Sequence, residues 1–245
     1  MNTVAIIQAR MGSERLPGKV LKKIGNETVL SHVINRVTKI KHIDNVVVAT
    51  TKLKTDNKIE EYCTKSNINF FRGDSENVLK RYYEAAKYFS ADIIIRITAD
   101  CPLIDPELCY KTIKPILNNY YDYTSNIHPP SFPDGMDIEA LTFETLKKTF
   151  NESTKNHQKE HVTPYIYENP TKFKIFNYES IIDLSKFRFV IDNEEDYKVM
   201  QKIYKLLGKH FYDINYKELV KYKLTNKNLI NVNLTGKRNE SYNPN

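Results

Sequence analysis

Apolar residues in the first hundred positions follow two alternating patterns. Four short runs are almost continuously apolar and have the length of buried strands: residues 4–7, 45–50, 68–71 and 92–97. The stretches between them carry apolar residues every three or four positions, as amphipathic helices do: residues 29–40, 55–66 and 76–89. Buried strands joined by helices form parallel sheets that are covered on both faces. The pattern therefore predicts a mostly parallel, Rossmann-like α/β fold.

The regular alternation ends near residue 120. A long loop containing prolines precedes a predicted strand at 136–140, and another predicted strand at 187–192 precedes a helix with an acidic first turn. We interpret the chain as one domain with four parts. These are a core (1–120), a smaller insertion (121–185), a return strand with C-terminal helices (186–233) and a polar, basic tail (234–245).

The loop after the first predicted strand is suited to binding a polyanion. Its glycines allow backbone N–H groups to approach phosphate oxygens, and its cations neutralise their charge; the residues are Arg10, Gly12, Ser13, Arg15, Gly18 and Lys19. A Walker A loop is excluded, because five residues rather than four separate Gly12 from Gly18. The dinucleotide fingerprint G-x-G-x-x-G is absent as well. The remaining alternative is a basic surface turn.

Asp100 follows the fourth predicted strand and precedes a proline turn. The carboxyl ends of parallel strands meet at one edge of a sheet, so we expect Asp100 near the phosphate-binding loop. A carboxylate beside a polyphosphate needs a cation between them, and Mg²⁺ binds one or two carboxylates together with phosphate oxygens. The alternative is a capping or turn role for Asp100. We assign capping to Asp105, because it precedes a helix that begins at Pro106.

The segment from His157 to His161 matches the zinc-protease pattern H-x-x-E-H. That chemistry requires both histidines on one face of a helix. Thr163 and Pro164 are typical of a helix start, which predicts that the helix begins after His161. We therefore favour a structural or acceptor-side role for Glu160 and His161 over zinc hydrolysis.

The pattern A-R-x-G-S-x-R-L-P-G-K at residues 9–19 resembles the signature of CTP-dependent sugar nucleotidyltransferases. This family includes the 3-deoxy-manno-octulosonate and sialic acid cytidylyltransferases and, nearest in pattern, the SpsF-like cytidylyltransferases of spore coat polysaccharide. The resemblance implies a fold of the nucleotide-diphospho-sugar transferase type. It also implies transfer of CMP from CTP to an acidic sugar acceptor, with release of pyrophosphate. By the same resemblance Arg10, Arg15 and Lys19 are catalytic, and the nucleotide-binding residues are Ala9, Arg10, Gly12, Ser13, Arg15, Lys19 and Asp100.

Two acidic motifs of the family are matched further along the chain. In the motif G-D-x-P-L-I the aspartate binds the metal; here Ala99 replaces the glycine and Asp100 is retained. The context D-x-x-E-D recurs at Asp192, which implies that Asp100 and Asp192 share one Mg²⁺. From the residues alone, the alternative is that Asp192 or Asn193 is a helix N-cap.

Segments after residue 130 resemble those of SpsF-like proteins, and we assign them to the acceptor. They are P-D-G-M-D-I-E at 133–139 and E-H-V-T-P-Y-I at 160–166. The acceptor-binding residues that we expect are Asp134, Asp137, Glu139, Glu160, His161 and Arg188. We also expect a homodimer, with the insertion contributing to both acceptor binding and dimerisation.

Composition limits the other function classes. The net charge is +7, but the lysines are scattered, so nucleic-acid binding is not expected unless the fold gathers them on one face. No apolar run approaches the length of a membrane span, and three cysteines without a C-x-x-C pair are typical of reduced thiols. We therefore expect a cytoplasmic protein. Open alternatives are a transferase that uses another nucleotide or acceptor, and a non-catalytic nucleotide-binding or scaffold protein.

Overall fold

The computed structural model describes residues 1–226. The strands, in chain order, are β1 (Thr3–Gln8), β2 (Lys23–Ile24), β3 (Glu27–Thr28), β4 (Asn45–Thr51), β5 (Asn69–Gly73), β6 (Ile93–Thr98), β7 (Tyr123–Ser125), β8 (Glu139–Thr142) and β9 (Ile175–Asn177). The α-helices are α1 (Val29–Val37), α2 (Asn57–Lys65), α3 (Val78–Tyr88), α4 (Pro106–Leu117), α5 (Phe143–Glu152), α6 (Asn156–His161), α7 (Pro164–Glu168), α8 (Glu194–Leu207) and α9 (Tyr216–Thr225). The predicted tail at 234–245 lies outside the described residues.

Seven of these strands form one sheet in the order β5-β4-β1-β6-β8-β7-β9. β1 pairs in parallel with β4 and β6, and β4 pairs in parallel with β5, whereas β8 is antiparallel to both of its neighbours. The prediction of a mostly parallel sheet is therefore confirmed. Strands from the predicted insertion extend the same sheet that the core begins.

Both faces of the sheet are covered, as the continuous apolar runs predict. Along β1, Ala5 and Ile7 belong to a buried cluster that contains Leu30 of α1. The alternate residues Val4 and Ile6 belong to a second cluster on the other face, with Tyr82 of α3. Side chains along a strand point alternately to opposite faces, so a strand that is apolar throughout is buried on both.

Side-chain caps fix the starts of the helices that border the carboxyl edge of the sheet. The Asp105 carboxylate accepts from the backbone N–H groups of Glu107 and Leu108, each at 2.9 Å, which confirms its predicted capping role. At α8 the cap is Asn193, whose side chain accepts from the Asp196 N–H at 2.9 Å. Because Asn193 is the cap, the carboxylate of Asp192 is left for other contacts.

Two strand predictions in the second half of the chain are wrong in detail. The strand predicted at 136–140 starts only at Glu139, because Gly135 has φ +95° and the Asn126 side chain bonds the backbone on both sides of Asp137. The segment predicted as a strand at 187–192 joins no ladder. It makes one isolated bridge, between Asp134 and Arg188, and otherwise bonds to loops.

A separate helix that the sequence did not predict, α6, precedes Pro164 and contains both His157 and His161. The Gln158 side chain accepts from the backbone N–H groups of Thr154 and Lys155 at 3.1 and 3.2 Å, so it stabilises a helix start that lacks a conventional capping residue. A further helix, α7, does begin at Pro164 as predicted. No helix within residues 1–226 is both long and apolar enough to cross a bilayer.

Candidate active site

A cavity of about 760 Å³ opens at the carboxyl ends of β1 and β6. Its walls come from the loop after β1, the segment after β6, the start of α3, the end of α6 and Asp192, two residues before α8. This is where open α/β sheets bind ligands. The predicted site residues that line it are Ala9, Arg10, Ser13, Arg15, Lys19, Asp100, Glu160, His161 and Asp192.

Other predicted site residues lie outside this lining. They are Gly12, Asp134, Asp137, Glu139 and Arg188. A Cβ atom added at Gly12 would have no neighbouring atom within 4 Å, so the space beside this residue is open. The roles assigned to all these residues stay predictions; the contacts of Glu139 and Arg188 are described below.

The loop after β1 is held at both of its ends. The buried carboxylate of Asp56 accepts from the Met11 N–H at 2.8 Å and from the Thr51 hydroxyl at 2.5 Å, which ties the start of the loop to the end of β4. Gly18 closes the loop by donating to the Met11 carbonyl at 2.9 Å. Gly18 has φ +70°, a left-handed conformation that favours glycine. Because both ends of this loop are held in place, its backbone needs little further ordering when a ligand binds.

Lys19 lies at the centre of the polar contacts in the cavity. Its Nζ donates to Asp100 Oδ2 at 2.7 Å, to Asp192 Oδ1 at 3.0 Å and to the carbonyl of Ile191 at 2.7 Å. Burial would lower the pKa of the Lys19 ammonium, but the charges of Asp100 and Asp192 outweigh burial and raise it. Burial would likewise raise the pKa of Asp100, and Lys19 lowers it below its usual range. Both groups are therefore charged at neutral pH.

The two aspartates come from distant parts of the chain, and a backbone bond brings them together. The Ile191 N–H donates to the Asp100 carbonyl at 2.9 Å, so the end of β6 and the segment before α8 are directly joined. Asp100 and Asp192 both lie within 3.0 Å of the same ammonium nitrogen. The predicted pairing of these carboxylates at one edge of the sheet is thus matched by their positions.

Arg188 orients the carboxylate of Asp192 by binding Oδ2, the oxygen that does not contact Lys19. Its Nη2 donates to Asp192 Oδ2 at 2.5 Å and to Asp196 Oδ2 at 3.2 Å, and its Nη1 donates to Asp134. Since Oδ2 of Asp192 is held by Arg188, Oδ1 is the oxygen that contacts Lys19. Burial would lower the pKa of Arg188, and the bonds to Asp196 and Asp134 raise it instead. In this structure Arg188 orients a cavity residue rather than lining the cavity.

A buried ion pair lies behind the wall of the cavity formed by β6. Arg96 lines the cavity, and its guanidinium donates to Glu139 on the neighbouring strand β8. Glu139 is 1% exposed and also accepts from the hydroxyls of Tyr123 and Thr163, each at 2.5 Å. Burial would raise the pKa of Glu139, but the Arg96 charge lowers it. The ionised carboxylate is therefore saturated by protein donors.

The two histidines of α6 have different surroundings. His157 is buried and its Nε2 lies 2.7 Å from Glu168 Oε1, whereas His161 lines the cavity beside Glu160. Among residues 1–226 no group of three or more His, Cys, Asp or Glu residues is placed to hold a metal ion. Although the helix that a zinc-protease motif needs is present, its geometry gives no support to zinc hydrolysis.

Asp100 and Asp192 offer carboxylate oxygens, the kind of ligand that Mg²⁺ takes in proteins. Two carboxyl groups already enclose one cationic group, the Lys19 ammonium, at hydrogen-bond distances. Mg²⁺ prefers oxygen ligands and characteristically takes one or two carboxylates while keeping sites for waters and phosphate oxygens. The residues present therefore fit this ion.

Several cavity residues were not predicted from the sequence. They are Gln8, Glu14, Val20, Ser75, Glu76, Val78, Arg81, Arg96, Thr98 and Ala99. Two of them carried a usable signal. Arg96 interrupts an otherwise apolar strand, and Arg81 lies on the buried face of α3 beside Tyr82. Charged residues are rarely buried unless they have a specific partner, so a charge on an otherwise apolar face is informative.

A basic loop after β1 therefore faces two carboxylates, Asp100 after β6 and Asp192 before α8, at the carboxyl edge of an α/β sheet. A family model described as cytidylyltransferase matches residues 4–235. The chain belongs to the cytidylyltransferase family, and its fold is that of the nucleotide-diphospho-sugar transferases.

Relatives and solved structures agree with this assignment. The spore coat polysaccharide biosynthesis protein SpsF of Bacillus subtilis is 33% identical over 88% of this chain and 91% of its own length. The structure of a cytidylyltransferase from Leptospira borgpetersenii has a TM-score of 0.90 and 36% identity, covering 97% of this chain and all of that one. A CMP-2-keto-3-deoxy-manno-octonic acid synthetase complexed with CTP has a TM-score of 0.62 at 16% identity, covering 84% and 99%, and shows the shared fold.

Proposed function

We propose that this cytidylyltransferase transfers CMP from CTP to a hydroxyl of an acidic sugar, with release of pyrophosphate, for the synthesis of a surface polysaccharide or glycoconjugate. The observation that carries the proposal is the placing of Lys19 between Asp100 and Asp192, beside a loop that holds Arg10 and Arg15 at the same cavity. Cations for a triphosphate and carboxylates for a divalent ion are what nucleotidyl transfer requires.

In the proposed reaction the acceptor oxygen forms a bond to the α-phosphorus while the bond to the oxygen bridging the α- and β-phosphorus atoms breaks. The hydroxyl proton passes to water, and the electron pair leaves with pyrophosphate. Arg10, Arg15 and Lys19 stabilise the charge that develops on the transferring group and on the leaving group. Their side chains reach the cavity from a loop fixed by Asp56 and Gly18, so catalysis consists of positioning and electrostatics.

Asp100 and Asp192 are the residues that would hold Mg²⁺, with Arg188 keeping Asp192 oriented. When bound, the ion supplies Lewis-acid activation of the phosphoryl group. Lys19 is then available to donate to a phosphate oxygen rather than to two carboxylates. With the two carboxylates facing the ion and Lys19 facing a phosphate oxygen, each of these charges still has an opposite charge beside it.

The choice of CTP and of an acidic sugar rests on the family and its relatives. The solved synthetase that shares this fold carries CTP and is named for an acidic sugar, and SpsF is named for polysaccharide biosynthesis. On the acceptor side, Glu160 and His161 line the cavity. We keep Asp134, Asp137, Glu139 and Arg188 as proposed acceptor-side residues, acting through the loop and strand that they hold in place. A homodimer is likewise proposed, and light scattering of the purified protein tests it.

The test is a screen for pyrophosphate release with CTP, UTP, GTP and ATP, each combined with a panel of ulosonic acids and with neutral sugars of equal size. Mass spectrometry identifies the products, and Asp100→Asn is the inactive control. We expect product only with CTP and an acidic sugar. Product with another nucleotide, or with neutral sugars alone, would show that the proposed donor or acceptor class is wrong.

A further inference from the structure

A buried thiol contacts the carboxylate oxygen of Asp100 that Lys19 leaves free. Oδ2 of Asp100 accepts from Lys19 at 2.7 Å, whereas Oδ1 accepts from the thiol of Cys101, with 3.6 Å between sulfur and oxygen. The Thr98 hydroxyl oxygen lies 3.3 Å from the same sulfur. The backbone of Asp100 is fixed as well, since its carbonyl accepts from the Ile191 N–H at 2.9 Å. The side chain is therefore held at both of its oxygens.

The hydrogens of this group have one consistent arrangement. A thiol has one hydrogen to donate and an ionised carboxylate has none, so the hydrogen of Cys101 belongs to the contact with Asp100. The hydroxyl of Thr98 is then the donor in its contact with the sulfur. Cys101 carries its hydrogen at neutral pH, because burial raises its pKa well above the usual value and the charge of Asp100 adds to that effect. A short chain of hydrogen bonds thus runs from Thr98 through Cys101 and ends on the carboxylate.

The contact at Oδ1 matters most once a nucleotide and a divalent ion are bound. In the proposed reaction Lys19 turns to a phosphate oxygen and releases Oδ2 of Asp100. Asp192 keeps the bond from Arg188 through this change. Within residues 1–226 no cation other than Lys19 forms an ion pair with Asp100. The bond from Cys101 is therefore the side-chain contact that goes on orienting Asp100.

The three cysteines of the chain belong to one buried cluster, but they differ in their contacts. Cys63 and Cys109 are 0% exposed and Cys101 is 3% exposed. Burial is the cause of the raised pKa of Cys63, and the charges that act on Cys109 are those of Asp105 and Arg36, neither of which lines the cavity. Cys101 alone among the three donates to a residue of the cavity lining. Cys109 is therefore the matched reference for Cys101.

We propose that Cys101, supported by the Thr98 hydroxyl, is a positioning residue that holds the Asp100 carboxylate for the divalent ion. This inference rests on the proposed function and adds a residue to its metal site. Hydrogen-bond partners of metal ligands orient those ligands and so affect metal affinity. A thiol is a weak and uncharged donor, so it directs the carboxylate without neutralising the charge that the ion needs.

The test measures the dissociation constant of CTP by calorimetry, with excess MgCl2 and again with EDTA, in the absence of an acceptor. The ratio of the two constants gives the strengthening of CTP binding by Mg²⁺ for the wild type, Cys101→Ala, Cys101→Ser and Cys109→Ala. We expect Cys101→Ala to reduce this ratio by about 3- to 10-fold, in the range of a neutral hydrogen bond, and to leave metal-free binding within about twofold. Cys101→Ser keeps a donor and Cys109→Ala keeps the contact, so both should retain the wild-type ratio within about twofold.

Equal reductions of the ratio by Cys101→Ala and Cys109→Ala would show that both thiols only fill space, and would overturn the inference. An unchanged ratio in Cys101→Ala overturns it as well, and so does a Cys101→Ser variant that is as impaired as Cys101→Ala. Thr98→Val takes the place of Cys101→Ala if circular dichroism shows that variant to be unfolded. It removes the hydroxyl that supports the thiol, and it should lower the ratio by about twofold or more.

The wild type separates this inference from the proposed function. If its binding of CTP does not respond to Mg²⁺, the metal site is wrong and the inference falls with it. If it does respond, and all variants respond equally, only the positioning role of Cys101 is wrong.

Discussion

Replacing Lys19 by Met removes a cation that two carboxylates share, and we expect a loss of stability in the protein without ligands. The change deletes hydrogen bonds to Asp100, to Asp192 and to the Ile191 carbonyl while keeping the apolar stem. Removing one partner of a fully buried ion pair costs about 3–5 kcal/mol, and exposed pairs contribute about 0–1 kcal/mol. The Lys19, Asp100 and Asp192 side chains are 12%, 21% and 22% exposed. The expected loss therefore lies between these limits, at about 2–3 kcal/mol.

The pH dependence of this loss has a definite sign. Burial opposes ionisation of Asp100, but Lys19 lowers its pKa below the unfolded value, so the pair contributes stability above about pH 3.9, and the contribution is lost as pH falls through the lowered pKa. The pKa of Lys19 is raised, so its contribution is complete below about pH 10.4 and is lost only as pH rises through the raised value. The difference between wild type and variant should therefore be constant near neutrality and shrink in strong acid.

Urea unfolding followed by circular dichroism measures the free energy of unfolding at each pH. Lys22→Met is the matched control, because Lys22 lies three residues further along and its contact with Glu194 is a longer, more exposed pair at 3.8 Å. We expect the control to stay within about 0.5 kcal/mol of the wild type. If Lys19→Met is as stable as Lys22→Met at pH 7, Lys19 does not hold the two carboxylates in solution, and the arrangement described above is refuted.

Further predictions concern the same cavity. Asp100→Asn and Asp192→Asn should each reduce turnover in steady-state assays by more than about 10²-fold. The double variant should be little worse than either, because the effects of residues that act as a unit are non-additive. Normal turnover of Asp192→Asn would exclude a shared metal site. Glu139→Gln should destabilise the fold by about 3–5 kcal/mol in urea unfolding, because it leaves Arg96 buried without its counter-charge; a loss below 1 kcal/mol would contradict this. Arg15→Lys should lower kcat/KM for the nucleotide about 10-fold or more, because an ammonium cannot reproduce the planar guanidinium fork; wild-type kinetics would contradict the phosphate-binding role of Arg15.

Sequence reasoning located candidate site residues where their position follows from chain direction. A loop or carboxylate that comes directly after a buried parallel strand lies at the carboxyl edge of the sheet, whatever the packing of the rest. Lys19 and Asp100 both met that condition, and both line the cavity. The same rule could have identified Ser75 and Glu76, which follow β5, but no motif marked them.

Contacts that depend on how distant segments pack were beyond the reach of periodicity. The anchoring of the loop by Asp56 depends on a short turn after β4 whose geometry no pattern encodes. Arg188 was predicted to bind the acceptor, and its three aspartate partners, which come from two separate segments, were not predicted. The strand predicted around Arg188 failed for a related reason, since alternating apolar residues also occur in extended segments that bond to loops.

The bonds from Lys19 to Ile191 and Asp192 join residues 172 and 173 positions apart in the chain. During synthesis at about 5–20 residues per second, the basic loop leaves the ribosome on the order of 10 to 30 s before the segment that completes its surroundings. A chain that stops before Ile191 would carry the whole loop and Asp100 but only one of the two carboxylates. Contacts of such separation also slow folding, because a long segment must be closed before they form. Activity in a translation time course should therefore rise only after full-length chains accumulate.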